Sequence, residues 1–324
     1  MKAWVCHHLS EDRSGLRFEA AWPDAPSPAP GEVRVALSAA ALNFPDLLML
    51  WGGYQFRPAL PFVPGVEGVG VVTDTGAGVD PALAGRRVVV VARSGCLAGA
   101  ITLGAESVRP APETCSDAEA AAYVVGALTA WVGLAERGRL GRGETLLVTG
   151  AGGGMGLAAV AMGKALGAHV IAAASDARKL VAARAAGADE TLLVERAAPD
   201  LPALKDRIDV VFDPVGGALF APAVRTLRWN GRYLLIGFAG GIPEPFASNH
   251  ALIKGIEIVG VRAGEFGRRD PAGGARARTA IDALAASGRY RPVIGLEVPL
   301  ARADEAFAAM AAGTLVGKAV VRIR

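Results

Sequence analysis

Residues 148–160 read VTGAGGGMGLAAV, with five glycines packed between Gly150 and Gly156. Glycine at this density weakens regular structure, so a run lodged between an apolar strand and a helical start lets the backbone come close to another group. Upstream, residues 144–149 suit a buried parallel strand, and downstream residues 155–166 show helical apolar spacing. A strand, a glycine turn and a helix in that order aim free N–H groups and the positive end of a helix dipole at one anion. The best register is Ala151-x-Gly153-x-x-Gly156, with Gly154 and Met155 between the last two glycines and alanine where the dinucleotide fingerprint has its first glycine. The anion this predicts is a pyrophosphate.

The neighbouring strand end decides which dinucleotide. An NAD site carries an acid there, about 20 residues beyond the glycines, to bind the ribose hydroxyls. This strand ends Ala172-Ala173-Ala174-Ser175, with no acid at its tip; Asp176 follows, and then Arg178 and Lys179. Two readings stay open: Ser175, Arg178 and Lys179 hold a 2′-phosphate, or the two cations are solvated charges in a helical turn capped by Asp176. The first makes NADPH the expected cofactor.

These residues must be positioned by a larger frame. The 324 residues, 52% hydrophobic and 20% charged, describe a soluble globular chain long enough for two domains. Lysine and arginine total 34 against 31 acids, a net charge of +3 with no long basic run, so nucleic acid is not an expected partner. The start MKAWVCHHLSEDR has no signal-like apolar core. The apolar stretch 120–135 is short for a bilayer and reads as a buried core helix, so no membrane association is expected. Three cysteines without short spacing fit a reduced, cytoplasmic protein.

The hydrophobic period changes along the chain. Residues 1 to about 110 are short alternating segments (33–37, 68–73, 87–91) cut by Pro and Gly, an all-β texture. From 117, strands at 145–149, 168–173, 190–194, 208–213, 232–236 and 256–261 alternate with helical patterns. This predicts an α/β, doubly wound parallel sheet of the Rossmann type. Helices near 271–287 and 303–312 and a strand at 318–323 follow, with the N-terminal β domain as their expected host. The expected domains are therefore 1–116 with 262–324, and 117–261. The glycine run falls after the first strand of six, where the dinucleotide fingerprint requires it.

This order, together with AALNFPDLLMLWGGY (40–54), LPFVPGVEGVGVV (60–72), GALTAW (126–131), the glycine run and DPVGG (213–217), resembles the medium-chain dehydrogenase/reductase superfamily over essentially the whole chain. It is most similar to the zinc-free, zeta-crystallin-like quinone oxidoreductase branch, which implies a GroES-like β-barrel catalytic domain beside the Rossmann domain. Positions matching the catalytic-zinc ligands of zinc-dependent relatives are Asn43, Val66 and one near Val125, none a metal-binding set. His7 and His8 are expected on opposite faces of a strand, His169 opens another strand, and His250 stands alone, so no metal site is expected.

Without a Lewis acid, a conjugated acceptor suits the site better than an alcohol: a quinone or α,β-unsaturated carbonyl takes hydride at carbon and spreads the charge onto oxygen. The resemblance implies Asn43 on the substrate carbonyl or nicotinamide ribose and Tyr54 as donor to the developing oxyanion. It also implies Thr129, Gly237 and Phe238 near the nicotinamide and Lys318 near the cofactor. Two tyrosines of some relatives are replaced here by Leu48 and Val194. An enoyl-thioester reductase, with Arg57, Arg262, Arg268 and Arg269 as a basic entrance, and a non-enzymatic NADPH-binding protein remain as alternatives. The apolar strand 256–261 at the sheet edge predicts a two-fold homodimer, as the family also implies.

Overall fold

The computed structural model describes residues 1–196 and 198–324. The chain divides into two compact units: residues 1–125 with 285–324, and residues 126–284.

In the first unit, seven strands form one sheet in the order Ile294–Pro299, Lys318–Arg322, Glu32–Ala41, Glu67–Thr75, Arg87–Val91, Val108–Pro110, with Ala100–Gly104 also paired to Glu32–Ala41. Glu32–Ala41 shifts register between Arg34 and Val35 and again between Leu37 and Ala39, irregularities that bend a sheet toward closure. Val33, Val35, Leu37, Val72, Val88 and Val90 fill its interior. His7 and His8 lie just beyond the strand Ala3–Cys6, exposed in a bend, not on opposite faces of a strand.

In the second unit, six strands run parallel in the order Glu190–Leu193, His169–Ala174, Thr145–Val148, Ile208–Asp213, Leu227–Leu235, Glu257–Gly260. Numbered by sequence this is 3-2-1-4-5-6, the doubly wound order whose direction reverses between the first and fourth strands. Burial on both faces explains why the central strands Thr145–Val148, His169–Ala174 and Ile208–Asp213 read as apolar runs.

The unit boundaries differ from the expected ones at both ends. Helix Asp117–Ala122 belongs with the barrel, where Ala120, Ala121 and Ala122 are buried, and the Val125 N–H donates to Glu67 at 2.9 Å. The apolar stretch expected as one helix is broken at Tyr123 into Asp117–Ala122 and Val124–Trp131, then continues as a π-helical turn, Val132–Arg137. Helix Pro271–Ala286 goes mainly with the nucleotide-type unit, not with the barrel: Arg276 pairs with Glu136 at 3.2 Å, and Gly274 packs against Gly267 of the preceding helix. Only the last strands of the tail join the barrel sheet.

Candidate functional site

The glycine turn occupies the reversal point of the parallel sheet. Gly150 takes a left-handed φ of +56°. Ala151, fully buried, donates its N–H to Ala173 O at 3.0 Å, so the alanine at the first fingerprint position faces the sheet and needs no glycine. A Cβ on Gly156 would lie 2.3 Å from Gly150 O and 2.6 Å from Ala151 Cα, which is why the helix can cross the turn only as glycine. A Cβ on Gly153 would meet nothing nearer than 3.7 Å, leaving an open backbone surface at the cap of helix Gly154–Ala165. Met155 lies in the first turn of that helix. An open glycine cap, a sheet reversal and N–H groups of a first turn fit a pyrophosphate.

The opposite wall is organised by Asp213, completely buried at the end of the fourth strand. Its carboxylate accepts from Thr149 Oγ1 and Tyr233 Oη, each at 2.5 Å, and from the N–H groups of Val215 and Gly216 at 2.9 and 3.0 Å. The loop after the fifth strand then zips onto residues 214–217: Ala239 N to Pro214 O, Gly240 N to Val215 O, and Gly217 N to Gly241 O at 2.8 Å. Gly237 and the half-exposed Phe238 belong to this loop. Thr129 lies half-buried on Val124–Trp131.

At the tip of the second strand, Asp176 is the N-cap of helix Ala177–Ala185 and accepts from Arg178 N at 2.7 Å. It also holds the Arg178 guanidinium at 2.8 Å, and this pairing lowers the Asp176 carboxyl to about 2. Arg178 thus pairs with Asp176 on the surface, its side chain 73% exposed. Lys179 is placed differently: its stem covers Gly152, where a Cβ would fall 2.2 Å from Lys179 Cβ. Lys179 therefore starts on the glycine turn itself. Arg196 Nε donates to Ser175 Oγ at 3.1 Å, a residue the sequence reading missed.

The first unit contains a buried polar centre. Lys318 Nζ donates to Asn43 Oδ1 at 2.6 Å and to Glu67 Oε1 at 2.5 Å; Asn43 Nδ2 donates to Glu67 Oε1 at 2.9 Å. Asn43 spends its amide protons on Glu67 and, at 3.4 Å, on Ala41 O, so it is an internal strut with only an Oδ1 lone pair to spare, not an open donor to a carbonyl. Lys318 likewise points into this centre, where only 8% of its side chain is exposed. Asp46, fully buried, accepts from the N–H groups of Asn43 and Gly65 at 2.8 and 3.0 Å; burial pushes its carboxyl up to about 7 despite those bonds. Asn43 and Asp46 sit at the cap and third position of helix Phe44–Trp51, which leads to the half-buried Tyr54 against the barrel core. Glu67 and Asp46 also escaped the sequence reading, although an acid flanked by glycine and valine in a buried strand must have a partner.

Glu67 bonds both Asn43 and Val125, two of the positions compared above with zinc ligands. Among the described residues no group of three or more His, Cys, Asp or Glu is arranged to hold a metal ion. His7 pairs with Glu19 at 3.0 Å and His169 with Glu190 at 2.8 Å, both on the surface. No helix is long and apolar enough to cross a membrane among the described residues.

Such a reversal point, in a chain that also carries a barrel with a GroES-like strand order, defines a dinucleotide-type oxidoreductase fold, and comparison with known proteins agrees. Residues 29–139 match the alcohol dehydrogenase GroES-like domain family, and residues 154–274 the zinc-binding dehydrogenase family. Quinone oxidoreductase-like protein 2 of Rattus norvegicus is 31% identical, covering 99% of this chain and 97% of that one. The quinone oxidoreductase of Thermus thermophilus, whose structures include an NADPH complex, is 32% identical with a TM-score of 0.85, each chain covered completely. A Streptomyces orinoci polyketide synthase protein is 37% identical over 92% of this chain, which spans 13% of that protein. The chain belongs to the medium-chain dehydrogenase/reductase superfamily, in its quinone oxidoreductase branch.

Proposed function

We propose that this oxidoreductase is a zinc-independent, NADPH-dependent reductase of quinones or α,β-unsaturated carbonyls. The observation that carries the reading is the centre around Glu67, where the amide of Asn43, a position that the resemblance matches to a zinc ligand of zinc-dependent relatives, is bonded to Glu67 and to the Lys318 ammonium. When bound, NADPH supplies a hydride. Gly153 and the first turn of helix Gly154–Ala165 would hold its pyrophosphate, with Ser175 and Lys179 at the ribose end. Thr129, Gly237 and Phe238 are assigned to the nicotinamide end by family resemblance. The spare lone pair on Asn43 Oδ1, fixed by Lys318, suits a ribose hydroxyl. Tyr54 donates its phenolic proton toward the oxygen on which charge develops.

One observation favours the thioester alternative: the match to a polyketide synthase, since polyketide chains grow as thioesters. Its basic entrance is reduced, because Glu265 pairs with Arg268 at 2.6 Å and Arg269 at 2.8 Å, leaving Arg57 and Arg262. We place the protein in the cytoplasm as a homodimer, on the grounds of its reduced cysteines and its exposed apolar edge: Ile258 on the last sheet strand, with Trp229, Ile242, Leu252 and Ile253 also exposed.

NADPH consumption against quinones, enones and enoyl-thioesters tests the reading. Turnover is expected on the first two, surviving exhaustive chelation and falling up to about 100-fold in Tyr54→Phe, because such a donor is worth roughly 1–3 kcal/mol. Activity lost on chelation and restored by zinc overturns it. Tight NADPH binding with no turnover on any acceptor indicates the non-enzymatic alternative.

A further inference from the structure

Tyr290, in the segment that precedes strand Ile294–Pro299, is 4% exposed, and among the described residues its hydroxyl has no hydrogen-bond partner. Tyr233, equally buried in the other unit, gives its hydroxyl proton to Asp213. A buried hydroxyl without an acceptor loses its hydration and gains nothing in return, so one kept in a folded chain calls for a partner from outside that chain.

The backbone around Tyr290 is pinned on both sides. Arg291 donates to Tyr290 O at 3.3 Å and crosses to Ala285 O at 2.7 Å and Thr114 O at 3.0 Å, while Val293 O accepts from Lys318 N at 2.8 Å. Tyr290 is therefore fixed beside the strand pairing that positions Lys318 in the polar centre. The charge that acts on it is Glu67: burial first, and that carboxylate second, push the phenol well above its ordinary range. Such a phenol keeps its proton and donates it only as a hydrogen bond. Glu67 takes Asn43 and Lys318 on Oε1 and Val125 N on Oε2, and does not take the phenol. Tyr290 thus lies close enough to feel Glu67, with its O–H left for another oxygen beside the same centre.

The acceptor otherwise has one donor, Tyr54, because Asn43 spends its amide protons on Glu67 and Ala41 O. An enone or an enoyl-thioester presents a single carbonyl oxygen. A quinone presents two, and taking up a hydride and a proton turns both into phenolic oxygens. A second fixed donor therefore favours the quinone. We propose that Tyr290 is a second hydrogen-bond donor to the acceptor, contacting the far carbonyl oxygen of a quinone and setting the preference for quinones over acceptors with one carbonyl. This rests on the reductase reading of the site, and all the residues involved belong to the first unit.

Tyr290→Phe removes the hydroxyl and keeps the ring. NADPH consumption by wild type and variant is measured with para-naphthoquinone and with cyclohexenone, and urea midpoints are measured for both proteins. The kcat/KM for naphthoquinone is expected to fall about tenfold further than that for cyclohexenone, the worth of one hydrogen bond to a developing charge. The urea midpoint is expected to hold or rise, because an unmatched buried hydroxyl has gone. If the two acceptors lose equally or neither loses, or if the wild type reduces only cyclohexenone, the assignment of Tyr290 is wrong and the reductase reading stands. A lowered urea midpoint with unchanged kinetics shows a hydroxyl bonded within the protein, and also overturns the assignment. If the wild type reduces neither compound, the reductase reading fails and the assignment with it.

Discussion

Replacing Lys318 by methionine tests the polar centre directly. Methionine keeps the apolar stem, so the perturbation is removal of one ammonium. That ammonium has two acceptors, Asn43 Oδ1 at 2.6 Å and Glu67 Oε1 at 2.5 Å, and the Glu67 side chain is 1% exposed. Glu67 would keep Asn43 Nδ2 and Val125 N as donors but would carry a buried charge with no cation against it. Breaking a buried pair in this way costs about 3–5 kcal/mol. Set against a typical total of about 5–15 kcal/mol, this is a severe loss. Glu67→Gln alone should cost a comparable amount by leaving the ammonium uncompensated. The double variant should cost less than the sum, because the amide introduced by Glu67→Gln can donate to the Asn43 Oδ1 that Lys318 vacated. A coupling of roughly 2 kcal/mol or more is expected from such a directly bonded pair. Urea denaturation followed through Trp4, buried in the same unit with its indole N–H on Leu300 O, provides the assay. A Lys318→Met variant within about 1 kcal/mol of the wild type, or a cycle additive within about 0.5 kcal/mol, would refute the reasoning.

Asp46 makes stability pH-dependent: its folded carboxyl is raised from 3.8 to about 7. Between those values the folded chain holds a proton that the unfolded chain has released, so stability falls as pH rises, by up to about 1.4 kcal/mol per unit. Urea midpoints of the wild type minus those of Asp46→Asn should show this slope between pH 4 and 7; a flat difference refutes it. Gly156→Ala, forced onto backbone atoms at 2.3 and 2.6 Å, should destabilise by about 1–3 kcal/mol and abolish NADPH binding, whereas Gly153→Ala should fold normally and lose only binding. Thermal melts and titrations with NADPH separate the two, and equal stability of both variants contradicts the geometry. Sedimentation at micromolar concentration should show a dimer that Ile258→Asp converts to monomer; a monomeric wild type removes the edge-pairing proposal.

The parallel sheet was legible because burial on both faces writes its central strands as short apolar runs, and those three strands begin and end within a residue of where the pattern places them. Asn43 and Lys318 were visible singly. Their contact was not, since residues 275 apart in sequence meet only because Lys318–Arg322 pairs with Glu32–Ala41 in the barrel sheet. Helix Pro271–Ala286 shows why packing partners escape a local reading: amphipathic spacing reveals a buried face and says nothing of which unit buries it. Ser175 and Lys179 stood out as residue types, whereas Arg196 required the register of adjacent strands.

The Asp213 carboxylate joins the residue that precedes the glycine turn, the loop after the fourth strand and a tyrosine of the fifth. Its acceptors are saturated by donors from all three. The two walls of the nucleotide cleft are therefore parts of one rigid piece, and neither can open without breaking several short bonds to a charge that has no water to turn to. Ordering loops on a ligand typically costs about 0.5–1.5 kcal/mol for each side chain immobilised. Here that entropy is surrendered during folding, so a dinucleotide meets walls already in place, and association should be fast and governed by diffusion and charge more than by rearrangement of the pocket.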